Sequence, residues 1–417
     1  MFYSPRKLEE KYNRFEFKYG LVIVRTKRFL GIMERLGRLK LTKPIAWLLV
    51  YLMPIIAGLA IYIFLSQLLV LFSPRGQQVS TVIRSIGPLA NLGIPGINPY
   101  LPIVYGWIAL IVAIVLHEAA HGVVARSLGL SVKSSGLLFF LFIPVGAFVE
   151  VDDNQLVNAK FRDSSRVLGA GAGINFLLAA FCLLILIFGV VPSMAPKANG
   201  IAVVSVVVDS PANKAGLLPG DFIVAINGTH VNAHENISAS PWYRPGVILN
   251  VTVYREGVIM NKILKLGENP ANKSLGFVGI EDRGYSDLIA IAKAYSSSFF
   301  SFPALYFCIP TLPQCQNVVP FGSPLYVFYS SPIGPVTIPL ANLLYWVFFI
   351  NFNLAIINSL PIYFFDGGQA FRLLVKAIGK GRLSEPSLDR ITAATSALVL
   401  FMLLFTIFGP YLNIAGS

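Results

Sequence analysis

Long apolar runs without charge are the feature of this sequence that most limits how the chain can fold. Residues 44–72 and 101–115 contain no Asp, Glu, Lys or Arg, and the first run is long enough to cross a bilayer as a tilted helix. Hydrophobic residues make up 55% of the chain and charged residues only 13%. We therefore expect a polytopic α-helical membrane protein with about five to six membrane segments, a re-entrant hairpin and an inserted small β-rich domain.

The expected membrane segments follow one another along the chain. Apolar runs predict further spans at 101–128, 167–191, 341–360 and 391–408. The sequence leaves open whether residues 286–310 span the membrane or lie on its surface. The chain then divides into four parts: a basic N-terminal segment (1–43), a first membrane part (44–195), a β-rich insertion (196–285) and a second membrane part (286–417).

Positive charge is concentrated at the N-terminus. The formal net charge is +13, and residues 1–43 hold twelve Lys and Arg against four Glu, directly before the first apolar run. A basic block in this position is typical of the cytoplasmic side of a membrane protein, so we expect a cytoplasmic N-terminus and no nucleic-acid partner. The mixed basic and apolar residues of 21–33 predict an amphipathic helix on the surface of the lipid bilayer.

The second apolar run ends in the sequence LHEAAHG at residues 116–122, a zinc-type HExxH pattern. On a helix, His117 and His121 lie one turn apart on one face and can bind one metal ion together. Glu118 projects near the same face, where it can act as general base on a water molecule. The alternative is a pair of histidines hydrogen-bonded between packed helices, but this leaves Glu118 unexplained at bilayer depth.

A catalytic zinc ion usually takes three protein ligands, so this pattern lacks one. The two other histidines of the chain, His230 and His234, lie in the insertion and cannot reach a site in the second span. The third ligand should therefore be Cys182 or a carboxylate, and the carboxylates to compare are Asp366, Glu150, Asp152 and Asp153.

Asp366 is the preferred candidate for the third ligand. It follows the uncharged run 341–357 and a break between Asn358 and Pro361 that opens the helix. Under the expected topology it lies at a depth similar to that of His117, whereas the other three carboxylates begin a polar loop. Asn358 is predicted to hydrogen-bond the substrate backbone or an oxyanion, or else to satisfy carbonyls freed by Pro361.

Two further segments are predicted to lie near the same cavity. Residues 136–149 are too few to span and are broken by Pro and by Gly146, which suits a re-entrant hairpin whose edge pairs with an unwound substrate strand. In the third span, Gly169 and Gly173 predict close helix packing. Asn175 in the same span either faces the active cavity and its substrate or makes an interhelical hydrogen bond.

The insertion at 196–285 has short alternating runs and turns instead of long apolar runs. Its stretch 211–228 (PANKAGLLPGDFIVAING) resembles the helix, turn and strand of a PDZ domain. Leu275, Gly276 and Phe277 resemble the PDZ loop that receives a peptide carboxylate, in the order found in circularly permuted PDZ domains of bacterial-type proteases. The alternative is a small β-rich spacer that binds no peptide.

Two patterns indicate that the insertion lies outside the cell membrane. All N-x-Ser/Thr triplets of the chain fall inside it, and three spans from a cytoplasmic N-terminus also leave residue 196 on the external side. Cys308 and Cys315 would form a disulfide if their loop faces an oxidising compartment. Whether the triplets carry glycans stays open; their asparagines are Asn227, Asn236, Asn250 and Asn272.

Taken together, these features resemble the site-2 protease family of intramembrane zinc metalloproteases. The resemblance covers roughly residues 100–375. It is carried by the HExxHG pattern at 117–122 with Ala125 and Arg126, the stretch 146–149, Asn358 with Pro361, and Asp366 with Gly367.

The resemblance implies Zn2+ as the cofactor, Glu118 as the catalytic base and, as zinc ligands, His117, His121 and Asp366. The family usually has Pro where Tyr363 stands and Leu where Phe365 stands, so the shape of this loop is expected to differ.

The function implied by the resemblance is hydrolysis of peptide bonds within transmembrane helices of single-span membrane-protein substrates. The PDZ-like insertion would filter substrates by size or capture a C-terminus freed by an upstream protease, as in regulated intramembrane proteolysis. One alternative is a membrane-anchored zinc protease that acts on soluble peptides, with Glu150 as third ligand. Another is a non-catalytic scaffold or transporter that binds peptides through the insertion.

Overall fold

The computed structural model describes residues 15–18, 21–74, 76–91, 93–140, 143–233, 238, 240–380 and 382–412. Residues 1–14 of the basic segment, His234 and Asn236 lie outside these described residues. The chain divides into two compact units. The first unit comprises residues 1–182 and 346–417, and the second unit comprises residues 183–345.

Five long apolar helices determine the class of the protein. In chain order the α-helices of the described residues are α1 (Leu30–Gly37), α2 (Thr42–Leu71), α3 (Gly76–Ile86), α4 (Ile103–Ser127), α5 (Asp153–Asn158), α6 (Phe161–Ile185), α7 (Pro211–Lys214), α8 (Tyr285–Ser297), α9 (Thr337–Ser359), α10 (Asp366–Ile378) and α11 (Glu385–Phe408). By length and composition α2, α4, α6, α9 and α11 can cross a membrane, and α6 continues through π and 3-10 turns to Ser193. The protein is therefore a polytopic integral membrane protein, as its apolar runs predict.

Four of the five long helices begin earlier than the apolar runs alone indicate, and only α4 begins later, at Ile103. The added first turns of α6, which starts at Phe161, carry charged residues that have partners. Arg166 pairs with Asp163 one turn away, and the Arg166 guanidinium lies 4.7 Å from the centre of the Trp47 ring. The open question about residues 286–310 is also answered. Helix α8 has 13 residues, fewer than the ~20 that a span needs, and 3-10 turns follow it.

The strands of the described residues form two larger sheets and two short ribbons. In chain order they are β1 (Phe15–Lys18), β2 (Leu21–Thr26), β3 (Val132–Phe140), β4 (Ile143–Val151), β5 (Ala195–Pro196), β6 (Ile201–Val206), β7 (Phe222–Ile226), β8 (Thr229–His230), β9 (Ile248–Arg255), β10 (Val258–Lys265), β11 (Gly267–Glu268), β12 (Gly276–Phe277), β13 (Ile280–Arg283) and β14 (Tyr329–Ser330). The first unit contains the antiparallel sheet β1-β2-β3-β4. The second unit contains the sheet β10-β9-β7-β6-β13, with β8 paired to β7.

The N-terminal segment differs from the amphipathic helix predicted for residues 21–33. Residues 21–26 form strand β2, which pairs along its whole length with β3, and only α1 is helical. The sequence Leu-Val-Ile-Val at 21–24 is rich in β-branched residues, which favour a strand when a partner strand is present. The helix prediction was wrong for residues 21–26, because their partner strand is distant in sequence: Thr26 and Ser135, paired across the sheet, are 109 residues apart.

The hairpin predicted at 136–149 is formed by β3 and β4. Gly136 lies between Arg25 of β2 and Phe148 of β4 in the sheet register. A Cβ on Gly136 would lie 2.5 Å from Cε1 of the Phe148 ring, so only glycine leaves room for that ring. Gly146 lies opposite Leu138 within the same pair of strands.

Small residues bring α2 and α6 into close contact in the first unit. A Cβ on Gly169 would lie 3.0 Å from Cα of Val50, and one on Gly173 would lie 2.8 Å from Cβ of Leu49. This is the close packing that the two glycines predict. A second apolar cluster joins α2 to α9 and to the segment after it through Ile56, Ile356, Leu360 and Ile362.

The second unit has its own buried core, built on the six-stranded sheet. The core side chains come from β6, β7, β9 and β10 and include Ile201, Val203, Ile223, Val251, Val253 and Leu264. Asn227 (φ 50°) and Gly228 (φ 81°) form the two-residue turn between β7 and β8, where both positions require a positive φ. A disulfide joins Cys308 to Cys315.

Candidate metal centre

Helix α4 carries the HExxH pattern and presents both histidines on one buried face. Only 6% of His117 and 8% of His121 is exposed, and the centres of the two imidazole rings are 4.9 Å apart. Residues four apart on a helix are neighbours, which explains the contact without any distortion of the helix. The pair therefore offers two ring nitrogens to one point in space.

Asp366 reaches these rings from the first residue of helix α10. Its Oδ2 atom lies 3.1 Å from Nε2 of His117 and 3.1 Å from Nε2 of His121. Helix α9 ends at Ser359, and the chain turns back so that Gly367 lies directly against that end. A Cβ on Gly367 would overlap the carbonyl groups of Ser359 and Leu360, so glycine at this position allows Asp366 to sit beside the histidines.

The hydrogen bonding of His121 indicates what the three groups can hold. Nδ1 of His121 donates to the backbone carbonyl of Val167 at 2.7 Å, which leaves a lone pair on Nε2 of the neutral ring. This lone pair faces an oxygen of Asp366 at 3.1 Å. Two acceptors at that distance require a proton or a metal cation between them.

The donor set fits a zinc ion. One ligand atom from each of His117, His121 and Asp366 lies within 4.8 Å of the other two. Zinc binds His nitrogens and carboxylate oxygens at about 2.0–2.2 Å, so two tetrahedral ligand atoms lie about 3.3 Å apart. The observed separations of 3.1 Å are close to this value.

Gly171 of α6 lies against both histidines. A Cβ at this position would contact Nε2 of His121 and would lie 2.5 Å from Nε2 of His117. The missing side chain therefore leaves the two ligand nitrogens uncovered. Sequence reasoning missed Gly171, although it lies between Gly169 and Gly173 in a run of small residues.

Glu118 is bonded to the hairpin. Its Oε2 atom accepts the backbone N–H of Val149 in β4 at 2.9 Å. Val149 also packs near Gly122, where a Cβ would lie 3.1 Å from its Cγ1. The predicted base is thus fixed by one oxygen, and the other oxygen has no hydrogen bond to the described residues.

The competing ligands have other partners. Glu150 accepts from Arg25 at 2.8 Å and from the Ser134 hydroxyl at 2.6 Å. Asp152 caps α5 and bonds Lys133, whose ammonium lowers the pKa of that carboxyl. Cys182 is a buried free thiol outside the cluster, and the side chain of Asp153 is not among those described.

The structure places the three predicted substrate residues, Asn175, Asn358 and Gly146, in α6, α9 and β4 respectively. Asn175 is fully buried one turn beyond Gly171, and neither its Nδ2 nor its Oδ1 has a partner among the described residues. The interhelical hydrogen bond proposed as its alternative role is therefore absent from the described part. Asn358 is half-buried in the last turn of α9, and Gly146 lies opposite Leu138 in the sheet.

The predicted carboxylate loop of the second unit has its N–H groups in use. The Leu275 N–H donates to the carbonyl of Asn272 at 3.0 Å, and the Gly276 N–H donates to the carbonyl of Tyr243 at 3.0 Å. Phe277 is paired with Gly267 in a two-stranded ribbon. A peptide carboxylate could accept from the first two groups only if their present bonds opened.

An apolar groove of about 550 Å³ in the first unit leads towards the cluster. It follows α2 from Trp47 to Ile61 and reaches Gly367, the residue after Asp366. The groove is lined mainly by apolar side chains of α2, α6, α10 and α11.

Several known proteins are similar to this chain in sequence. The family described as Peptidase family M50 matches residues 105–404, which include all three clustered residues and Glu118. An uncharacterized protein of Methanocaldococcus jannaschii is 28% identical over 295 residues, 70% of this chain and 74% of its own. Protease RseP of Photorhabdus luminescens is 27% identical over 227 residues, 49% of this chain and 99% of its own. Zinc metalloprotease RasP of Shouchella clausii is 25% identical over 246 residues, 56% of each chain.

Proposed function

Because the chain belongs to peptidase family M50, the site-2 protease family of membrane zinc metalloproteases, we propose that it cleaves peptide bonds inside the membrane-spanning segments of other proteins. The observation that supports this proposal is the position of two of the clustered residues, His117 and His121, on a helix long enough to cross the membrane. His117 lies ten residues, about 15 Å, from the end of α4 at Ser127, and the hydrocarbon core of a bilayer is about 30 Å thick. Ionisable residues at such depth are costly and usually functional.

In the proposed mechanism His117 Nε2, His121 Nε2 and Asp366 Oδ2 would hold the zinc ion. Zinc supplies Lewis acidity, which activates water and polarises a carbonyl group. Glu118 takes the proton of the attacking water on the carboxylate oxygen that Val149 leaves free, and passes it to the leaving amine. The carbonyl of Val167 orients the His121 ring throughout.

The substrate is proposed to bind as an extended strand along β4. Strand β4 is the last of its sheet, and the Val149 N–H points away from β3 towards Glu118. Because the direction of backbone groups alternates along a strand, the groups of Ala147 point to the same edge, whereas those of Gly146 point to β3. An unwound substrate pairing with this edge would pass Glu118, with Asn175 and Asn358 as further partners.

Local unwinding of the substrate is part of this proposal. A transmembrane helix protects its scissile bond with its own hydrogen bonds. A segment that has lost helical structure can pair its free backbone groups with the edge of β4.

The β-rich part at 196–285 is proposed to be a PDZ-like domain on the external side that filters substrates or captures a C-terminus freed by an upstream protease. The basic residues before α2, the N-x-Ser/Thr triplets and the Cys308–Cys315 disulfide support a cytoplasmic N-terminus and an external loop. Proteoliposomes test the proposed side: a protease added outside right-side-out vesicles should cut within 196–285.

The decisive experiment compares wild type with Glu118→Gln, Asp366→Asn and Asp389→Asn on a purified single-span substrate in proteoliposomes. Glu118→Gln should keep its zinc and lose at least about 10²–10⁴-fold in rate, as removal of a general base does. Asp366→Asn should lose zinc. Asp389→Asn, a matched change at an exposed carboxylate of α11 whose surface ion pair with Arg372 contributes little, should match wild type in both.

Each outcome separates the proposal from its alternatives. Full cleavage by Glu118→Gln would refute Glu118 as the base. Absence of cleavage by wild type, with full biological activity retained in Glu118→Gln, would leave the non-catalytic scaffold as the remaining function. Faster cleavage of a soluble peptide than of the same sequence in a transmembrane helix would support the protease that acts on soluble substrates. Loss of zinc in Glu150→Gln but not in Asp366→Asn would show that Glu150, and not Asp366, is the third ligand.

A further inference from the structure

Residues 15–18 and 21–37 lie outside the range that matches the family, yet the strand and helix they form contact the elements around Glu118. Strand β2 covers the outer edge of β3, and α1 places Met33 Sδ 2.6 Å from where a Cβ on Gly122 would lie. A two-stranded hairpin is only marginally stable in water, so the N-terminal strands should stabilise β3 and β4.

Arg25 is the residue of β2 that reaches across the sheet to β4. Its Nη1 donates to Glu150 at 2.8 Å, and its guanidinium lies 5.2 Å from the centre of the Phe148 ring. Arg25 and Phe148 both pair with Gly136 of the intervening strand, so they lie on one face of the sheet two strands apart. The missing side chain of Gly136 lets the arginine cross that gap.

The contacts of Arg25 are individually weak but act on one short segment. About a third of the Arg25 side chain is exposed, and an isolated surface ion pair contributes little. Here the guanidinium also bonds Glu16 at 3.1 Å and covers Phe148, while Glu150 accepts a second bond from Ser134. The network therefore holds both neighbours of Val149 in β4.

Val149 connects this network to the metal centre. Its N–H is the group that bonds Oε2 of Glu118 at 2.9 Å, and its two neighbours in β4 are the residues held by Arg25. A shift of β4 by a few tenths of an ångström would lengthen that bond, since hydrogen bonds have a narrow range of distances.

We propose that Arg25 is a positioning residue for Glu118, acting through Glu150 and Phe148 to hold the Val149 N–H in place. The inference rests on the proposed function of Glu118 as base. Loss of Arg25 then lowers kcat, because the base is less well oriented, and leaves zinc binding and KM almost unchanged.

The first test is hydrogen exchange at the Val149 amide in the full-length protein with zinc bound. Arg25→Gln should speed exchange at Val149 by about fivefold, the scale of coupling between residues of one network. Arg28→Gln is the matched control, because the side chain of this exposed arginine has no hydrogen bond to the described residues, and its backbone N–H donates to the Thr26 hydroxyl. Equal exchange at Val149 in wild type and Arg25→Gln would overturn the proposal, whether or not the protein cleaves any substrate.

The second test uses cleavage of a single-span substrate. Arg25→Gln should lower kcat by about fivefold with KM changed less than about twofold, and Arg25→Lys should recover part of the loss. Glu150→Gln should have a similar effect, and the double variant should be no slower than either single variant, because both act through one network. Additive losses, a loss confined to KM, or an equal loss in Arg28→Gln would each refute the positioning role.

The two tests separate this inference from the proposed function. If wild type and Glu118→Gln cleave equally, Glu118 is not the base and the proposed function fails. If only Glu118→Gln is slow while Arg25→Gln matches wild type in rate and in exchange, the proposed function stands and the inference fails. The zinc content of each variant, one ion per chain, shows that the centre is intact.

Discussion

A single methyl group at position 171 should empty the metal centre without removing any ligand. The Cβ of Gly171→Ala would lie 2.5 Å from Nε2 of His117 and against Nε2 of His121. Non-bonded carbon and nitrogen atoms are normally separated by about 3.5 Å, so the His117 ring would have to retreat by about 1 Å. Zinc–ligand distances vary by only about 0.2 Å, so this retreat would break the coordination.

The size of the effect follows from that displacement. Substitutions of residues that only support the ligands already weaken metal binding by about 10–100-fold, which is about 1.4–2.7 kcal/mol. Because Gly171→Ala moves the ligand atoms themselves, its loss of zinc affinity should be at least this large. Helix propensity works in the opposite direction, because alanine favours a helix over glycine by about 1 kcal/mol. Loss of zinc could therefore not be attributed to unwinding of α6.

The assay is zinc content after dialysis of the purified protein against a series of zinc buffers. Gly169→Ala is the matched control on the same helix, since its Cβ would contact Val50 of α2 and neither histidine. We expect wild type and Gly169→Ala to hold one zinc per chain at concentrations where Gly171→Ala holds almost none. Equal zinc affinity in Gly171→Ala and wild type would refute the assigned geometry of the centre.

Two predictions concern the second unit. Arg255→Ala should destabilise the second unit by about 3 kcal/mol, because Asp221, which is 1% exposed, loses the guanidinium that bonds both its oxygens. The resistance of residues 196–285 to proteolysis in urea measures this loss, and unchanged resistance would contradict the prediction. Cys308→Ser should lower the free energy of unfolding by about 2.5 kcal/mol, because it opens the short loop that the disulfide with Cys315 closes. A reductant should lower the melting temperature of the wild type by the same amount as this substitution. Cys182→Ser, which keeps the disulfide, is the control and should show no such loss.

The features of the centre that the sequence predicts are those governed by local periodicity and by charge. His117 and His121 must share a face because a helix repeats every 3.6 residues. Asp366 stands out because a carboxylate after a long uncharged run needs a partner. The structure places these three residues together, and their roles as ligands remain predictions until zinc is measured.

Gly171 and Arg25 could not be predicted because their contacts depend on tertiary structure. Five small residues in a row indicate close packing, but only the rotation of α6 decides that Gly169 and Gly173 face α2 while Gly171 faces the histidines. The apolar and basic residues around Arg25 are compatible with a helix or a strand, and the strand forms because β3 offers an edge.

The cluster also has a consequence for the connectivity of the chain. His121 and Asp366 are 245 residues apart, and the whole second unit lies between them in sequence. A zinc ion bound there would be a crosslink, and closing a loop of that length in the unfolded chain is worth about 5 kcal/mol of entropy. The first unit would then behave as two fragments joined by one ion and by apolar packing of α2 against α9. Two separately expressed halves, divided between β8 and β9, should assemble a zinc site when combined.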